Sequence, residues 1–228
     1  MQASYAAVVF DLFGTLVPAY AHHDVLSRMA TILGLDPRPF VAAFAVDTRE
    51  ARETGRYGSL GENIQDVCHR LEHSITDEQL HAAVRLRRES IAKGLHPRND
   101  ALPTLSTLRR RRLSVGLISD CCHVVPELWS QAELARYVDA AIFSCQVGLR
   151  KPDPEIYSIA CEALGVQATT CLYVGDGGSN ELSGAARLGM DAVLLSIDQE
   201  QGVDPYRPDA ETWQGRSIKS LSEVVDIV

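Results

Sequence analysis

The sequence predicts an α/β fold, a parallel sheet covered by helices on both faces, with an all-helical block inserted into it. Three observations lead there. From Leu102 onward, short β-rich apolar runs alternate with helical patterns, as expected for parallel strands joined by crossover helices. One more run of the same kind, Ala6 to Phe10, stands near the start of the chain. Between the two lie roughly eighty residues with helical periodicity and no strand pattern. A length of 228 residues suits one core with an inserted subdomain, and 46% hydrophobic with 23% charged residues is ordinary globular composition.

The elements follow in order. The apolar run "AAVVF" reads as a buried strand and delivers the chain into "DLFGTL", Asp11 to Leu16. Helical periodicity then takes over in "HHDVLSRMATILGL", "PRPFVAAFAVDTREARETG", "SLGENIQDVCHRLEH" and "TDEQLHAAVRLRRESIAKG". Asp36-Pro37, Gly55 to Gly61 and Thr76-Asp77 punctuate these segments, and Thr76 with Gln79 spells a capping box. The expected division is a core of residues 1–16 and 93–228 and a helical insert of residues 17–92. The strands "LSVGLIS", "AAIFS", "TTCLYVG" and "DAVLLS" complete the sheet, with helices such as "PEIYSIACEALG" and "NELSGAARLG" between them.

Charge and cysteine content narrow the function classes. A formal net charge of -8 argues against sequence-independent nucleic-acid binding, which needs clustered cations. The one cluster, Arg109 to Arg112, ends a helical pattern, where cations favour the helix C-terminus. No apolar run approaches a membrane span, and the start lacks a signal-peptide pattern, so a soluble cytoplasmic protein is expected. The six cysteines form no C-x-x-C pair and have no histidine at zinc-site spacing, which favours reduced thiols.

In open α/β sheets the ligand site lies beyond the carboxyl ends of the strands, and four strand ends or adjoining loops carry polar groups there. Asp11 follows the first strand; Ser119 and Asp120 end the second; Lys151 stands in "GLRKPDPEIY"; Asp176 precedes the glycine-rich turn of "VGDGGSNE". Each alone has a bland reading as a helix cap, turn former or solvated lysine. Their order and shared context give them force. The chain resembles the haloacid dehalogenase superfamily of hydrolases, with Asp11-x-x-Gly14-Thr15 as its first motif, Ser119 its second, Lys151 of "RKPDP" its third, and Asp176 with Glu181 its fourth.

That resemblance implies a Rossmann-like core, a helical cap inserted after the first motif, and Asp11 as a nucleophile that forms a covalent ester. It also implies Thr15, Ser119 and Lys151 as contacts for the substrate anion. Asp11, Asp176 and the main-chain carbonyl of Phe13 become ligands of Mg²⁺, a hard cation suited to oxygen donors. The substrate expected is a small organic phosphate, since a helical cap leaves little room for a macromolecule.

Phe13 departs from the pattern. Phosphatases of the family carry an aspartate there as general acid and base, whereas its dehalogenases carry an aromatic, because a halide leaves without a proton. Those dehalogenases lack the acid at the position of Asp176 and draw a cap arginine to the substrate carboxylate; Arg38, Arg49, Arg52 and Arg56 are available, although helical surfaces usually carry such residues. The retained Asp176 ranks phosphate-ester hydrolysis first, because two adjacent carboxylates need a cation. A metal-independent 2-haloacid dehalogenase is the alternative, and a catalytically weakened binding protein the third. A phosphonatase would need a cap lysine, and Lys93, Lys151 and Lys219 all lie outside the cap helices. Asp120 is the candidate replacement for the missing acid; His22, His23 and Asp24 at the cap entrance, and His123, read more simply as helix-start residues. Trp213 and Tyr206 are expected to pack a loop, and Phe40 and Phe44 to be core. Cys121 and Cys122 have no evident activating base.

Overall fold

The computed structural model describes residues 5–19, 23–197 and 207–228, without the His23 side chain. One sheet of six parallel strands runs in the order β3-β2-β1-β4-β5-β6. These are β1 (Ala7–Phe10), β2 (Ser114–Ser119), β3 (Ala140–Phe143), β4 (Cys171–Gly175), β5 (Asp191–Leu195) and β6 (Arg216–Ile218). Five answer to apolar runs in the sequence. The sixth is a three-residue edge strand with two exposed positions, too short and too polar to leave a pattern.

Strand side chains alternate between two buried faces. Val8, Phe10, Leu172 and Val174 pack on one side of the sheet, and Ala7, Val9, Cys171 and Tyr173 on the other. Fully burying a Val, Leu or Phe side chain contributes about 1.5–3 kcal/mol, so the central strands anchor the fold. Between β1 and β2, ahead of α6, come α1 (His23–Leu33), α2 (Pro37–Ala42), α3 (Arg49–Glu53), α4 (Leu60–Arg70) and α5 (Asp77–Gly94); α5 runs two residues past the expected end of the insert and carries Lys93, expected outside the cap helices, in its last turn. A π-helical turn, Ala43–Asp47, links α2 to α3. The Thr76–Gln79 capping box forms at the start of α5, both reciprocal bonds being made. Phe40 and Phe44 stack with ring centroids 5.7 Å apart and are buried.

The later helices are α6 (Ala101–Arg110), α7 (Val124–Trp129), α8 (Ser144–Val147), α9 (Pro154–Leu164), α10 (Glu181–Leu188), α11 (Pro208–Thr212) and α12 (Val224–Ile227). The arginine run at the end of α6 is tied down. Arg109 pairs with Asp139 at 2.9 Å, and Arg111 donates to the carbonyls of Val225 and Val228. Among the described residues no single helix is long and apolar enough to cross a membrane. The chain builds outward from β1 through β2 to β3, then crosses back to lay β4 on the other side of β1. That reversal opens a crevice at the carboxyl ends of β1 and β4, the position where this architecture takes ligands.

Candidate active site

Asp11 sits one residue past β1, with its N–H donating to the Val174 carbonyl of β4 at 2.9 Å. The loop after it turns at Gly14, where φ is +89° and a Cβ would fall 2.0 Å from Asp176 Oδ2. Only glycine allows the two loops to close in this way. Arg98 fixes the same loop from below, donating to the carbonyls of Thr15 at 2.7 Å and Gly14 at 3.0 Å.

Lys151 lies at the centre of the buried floor. Its Nζ reaches Asp11 Oδ1 and Glu181 Oε2, each at 2.6 Å. Burial alone would lower the ammonium's pKa, but the two carboxylates hold it well above its ordinary range. Glu181 is fully committed. Its Oε1 accepts from Gly177 N–H at 3.0 Å and its Oε2 accepts from both Lys151 and the Tyr173 hydroxyl, the latter at 2.9 Å. Gly175 makes room for it, since a Cβ there would stand 2.2 Å from Oε1. The Tyr157 hydroxyl donates to the Glu181 carbonyl at 2.9 Å. Asp176 accepts from Gly178 N–H at 3.0 Å, and its Oδ2 pairs with Arg207 Nε at 3.0 Å.

Asp120 reaches across to the main chain of the third motif, with Oδ1 accepting from Lys151 N–H at 3.0 Å. Its Oδ2 is buried without a hydrogen-bond partner, as are Asp11 Oδ2, Ser119 Oγ and Thr15 Oγ1. Burial pushes the Asp11 carboxyl up to about 7 and Asp176 up to about 6, with the charge of Asp11 adding to the second shift. Glu181 rises to about 7 for the same first reason, and Asp120 also rises through burial. One oxygen each from Asp11, Asp176 and Glu181 lies within 4.8 Å of the others. The donor set is therefore all hard oxygen, and the local acids outweigh their paired cations. These residues fit Mg²⁺, with Asp11 and Asp176 as its side-chain donors and Glu181 already taken by Lys151.

Above the floor the helical insert closes a cavity of 440 Å³. Asp11, Phe13, Asp120, Lys151 and Asp176 face it from the core; Phe44, Arg49, Arg52 and Arg87 face it from the insert. Phe44 is thus core and cavity wall at once. Ser119 and Thr15 are buried but do not line the cavity. Arg38 lines it, whereas Arg56 does not and instead pairs with Glu50. His123 stands outside it, at the start of α7.

The haloacid dehalogenase-like hydrolase model matches residues 5–189. The chain belongs to the haloacid dehalogenase-like hydrolase family. Among its relatives is a phosphatase of Mycobacterium tuberculosis (MT3486), 39% identical over 49% of this chain and 51% of that protein. (S)-2-Haloacid dehalogenase 4A of Burkholderia cepacia is 26% identical over 98% of this chain and 95% of its own. The chain spans about half the length of the first curated relatives it matches. A dehalogenase structure superposes with a TM-score of 0.69 at 24% identity, covering 100% of this chain and 99% of that one. A haloacid dehalogenase-type phosphatase from Thermococcus onnurineus gives 0.65 at 21%, covering 100% and 97%; both likenesses establish the fold. The relatives agree on hydrolysis and divide on the bond cleaved.

Several functional groups of this hydrolase escape sequence reasoning. Arg207 meets Asp176 from a loop 31 positions away and carries no local signal. Tyr157 and Tyr173 read as core aromatics of a helix and a strand, yet both hydroxyls converge on Glu181. Of the other expectations, Asp24 opens α1, while His22, the His23 side chain and Tyr206 lie outside the described residues. Trp213 packs on the second face of the sheet and its Nε1 donates to the Arg216 carbonyl at 3.1 Å. All six cysteines are free thiols.

Proposed function

We propose that this hydrolase is a Mg²⁺-dependent phosphatase acting on small organic phosphates, with Asp11 as nucleophile. The observation that carries the reading is the charge of the floor. Four carboxylates, Asp11, Asp120, Asp176 and Glu181, gather around two paired cations, Lys151 and Arg207. Asp120 is protonated when it acts as the acid, and the other three carboxylates then still exceed the two cations by one negative charge, which calls for a cation. Asp11, Asp176 and the Phe13 carbonyl would hold it, and when bound it supplies charge neutralisation for the carboxylates and the incoming phosphoryl group.

The protein's own groups divide the work. Lys151 holds Asp11 Oδ1 at 2.6 Å, which leaves Oδ2 for attack on phosphorus. The bond formed is Oδ2–P and the bond broken is P–O to the leaving group. Ser119 Oγ and Thr15 Oγ1 are buried and without partners behind the cavity wall, and they reach phosphoryl oxygens only if the loops after β1 and β2 shift on binding. Glu181 anchors Lys151 while Tyr173 anchors Glu181. Asp120, raised by burial and with Oδ2 unpartnered, is the carboxyl that gives a proton to the departing oxygen. The same group then takes a proton from the water that cleaves the aspartyl phosphate, a role worth about 10²–10⁴-fold.

Halide displacement is the second reading, favoured by Phe13 and by Arg207, which already pairs with Asp176 at 3.0 Å. Phosphate and halide release are measured in parallel on organic phosphates and 2-haloacids, each with Mg²⁺ and with EDTA, Asp11→Asn serving as blank. Phosphate release lost in EDTA is the expected result. Halide release indifferent to EDTA overturns the reading.

A further inference from the structure

Arg207 approaches the acid floor from behind the cavity. Its Nε stands 2.9 Å from the Asp176 carbonyl and 3.0 Å from Asp176 Oδ2, and its side chain is only 11% exposed. It does not line the cavity, so its business is with Asp176 and not with the substrate. The chain delivers it on a fixed support. α11 follows Arg207 directly and docks on the turn after Asp176, where Asp209 N–H donates to the Gly177 carbonyl at 3.1 Å. The Asp209 carboxylate accepts from Ser183 N–H at 3.0 Å and from its hydroxyl. A Cβ on Gly177 would stand 2.5 Å from Ala210 N, so helix and turn are in close contact. With the residues after it anchored, Arg207 leaves Asp176 by rotation of its long side chain.

The oxygen that Arg207 covers is the one a metal needs. Asp176 Oδ1 accepts from Gly178 N–H at 3.0 Å, whereas Oδ2 points at the loop of Asp11 and Phe13, where a Cβ on Gly14 would stand 2.0 Å away. The charge count agrees. With Asp120 protonated, Asp11, Asp176 and Glu181 face Lys151 and Arg207, an excess of one negative charge. A divalent cation added to both would leave an excess of one positive charge in a buried site. Exchanged for Arg207, it leaves none, and uncompensated buried charge is costly. We infer that Arg207 is a tethered stand-in for Mg²⁺, which covers Asp176 Oδ2 until the ion binds, then gives way, and so weakens the hold of the site on the ion. This rests on the Mg²⁺ reading of the floor and adds the residue that sets how much Mg²⁺ the protein requires. A site whose binding-competent form is one-tenth populated binds about tenfold more weakly than the same site held open.

The test titrates Mg²⁺ into the full chain without substrate. In nitrogen-labelled wild type, the Arg207 Nε–H signal is expected to move to the position and exchange rate of a solvated arginine, in step with calorimetric uptake of Mg²⁺. Arg207→Gln removes the charge and is expected to bind Mg²⁺ roughly tenfold or more tightly than wild type, whereas Arg207→Lys keeps the charge and should stay near wild type. A signal that stays in place while Mg²⁺ binds overturns the inference even if the variants do not fold, and leaves the phosphatase reading standing. An affinity of Arg207→Gln equal to or below that of wild type overturns it too, because Arg207 then steadies the metal ligand instead of competing with the metal. If wild type takes up no Mg²⁺ but Arg207→Gln does, the inference is upheld and the phosphatase reading falls. If neither wild type nor a folded variant takes up Mg²⁺, both fall.

Discussion

The buried acid cluster should make the metal-free protein less stable as the solution becomes more alkaline, and Mg²⁺ should reverse this. A carboxyl whose pKa rises on folding stabilises the fold while protonated, and that contribution is lost as pH climbs through the folded value. Asp11 goes from an ordinary 3.8 to about 7, Asp176 from 3.8 to about 6 and Glu181 from 4.5 to about 7. The loss therefore falls between about pH 4 and pH 7. For Asp11 alone the upper bound is about 4 kcal/mol, at about 1.4 kcal/mol per tenfold change in ionisation. The three acids share Lys151 and titrate as a group, so their contributions do not add. An effect of roughly 2–4 kcal/mol is expected for the cluster, or roughly 5–10 °C in Tm for a chain of this size. Lys151 does not oppose the trend in this window, because its raised pKa places its own loss far above pH 8. The assay is a melting series from pH 5 to pH 8 in EDTA and in Mg²⁺, on wild type and Asp11→Asn. The difference between the two proteins cancels titration elsewhere. A difference that stays level or grows in favour of wild type as pH rises in EDTA would refute the reasoning.

Three further outcomes follow from named contacts. Lys151→Met should abolish turnover and destabilise the protein by about 3–5 kcal/mol at pH 8, and by less at pH 5, because it leaves Asp11 and Glu181 buried without their cation; paired melts at the two pH values read this. Gly14→Ala should cost roughly 1–2 kcal/mol for its left-handed backbone and more for a Cβ placed 2.0 Å from Asp176 Oδ2, with stabilisation by Mg²⁺ lost in the melting assay. Tyr173→Phe removes one of three donors to the Glu181 carboxylate and should lower kcat with KM nearly unchanged, whereas Tyr157→Phe, whose hydroxyl meets only the Glu181 main chain, should leave kcat close to wild type; steady-state kinetics separate them.

The sequence by itself determined five of the six strands and the strand ends at which the polar groups stand. An apolar strand run followed by a carboxylate and a glycine carries the placement of Asp11, because strand burial and turn geometry are local properties. The same holds for Asp176 ahead of its glycine turn and for the Thr76–Gln79 cap, each readable within a few residues. Tertiary structure alone decided what each charge meets. Arg207 reaches Asp176 across 31 positions of chain, Tyr157 and Tyr173 turn inward to one glutamate, and Glu181 is claimed by Lys151. It also decided that Arg52 looks into the cavity, whereas helical spacing alone suggested a solvated face. The physical reason is range: backbone preference and hydrophobic period act over a few residues, whereas electrostatic pairing depends on distances that only the packed chain sets.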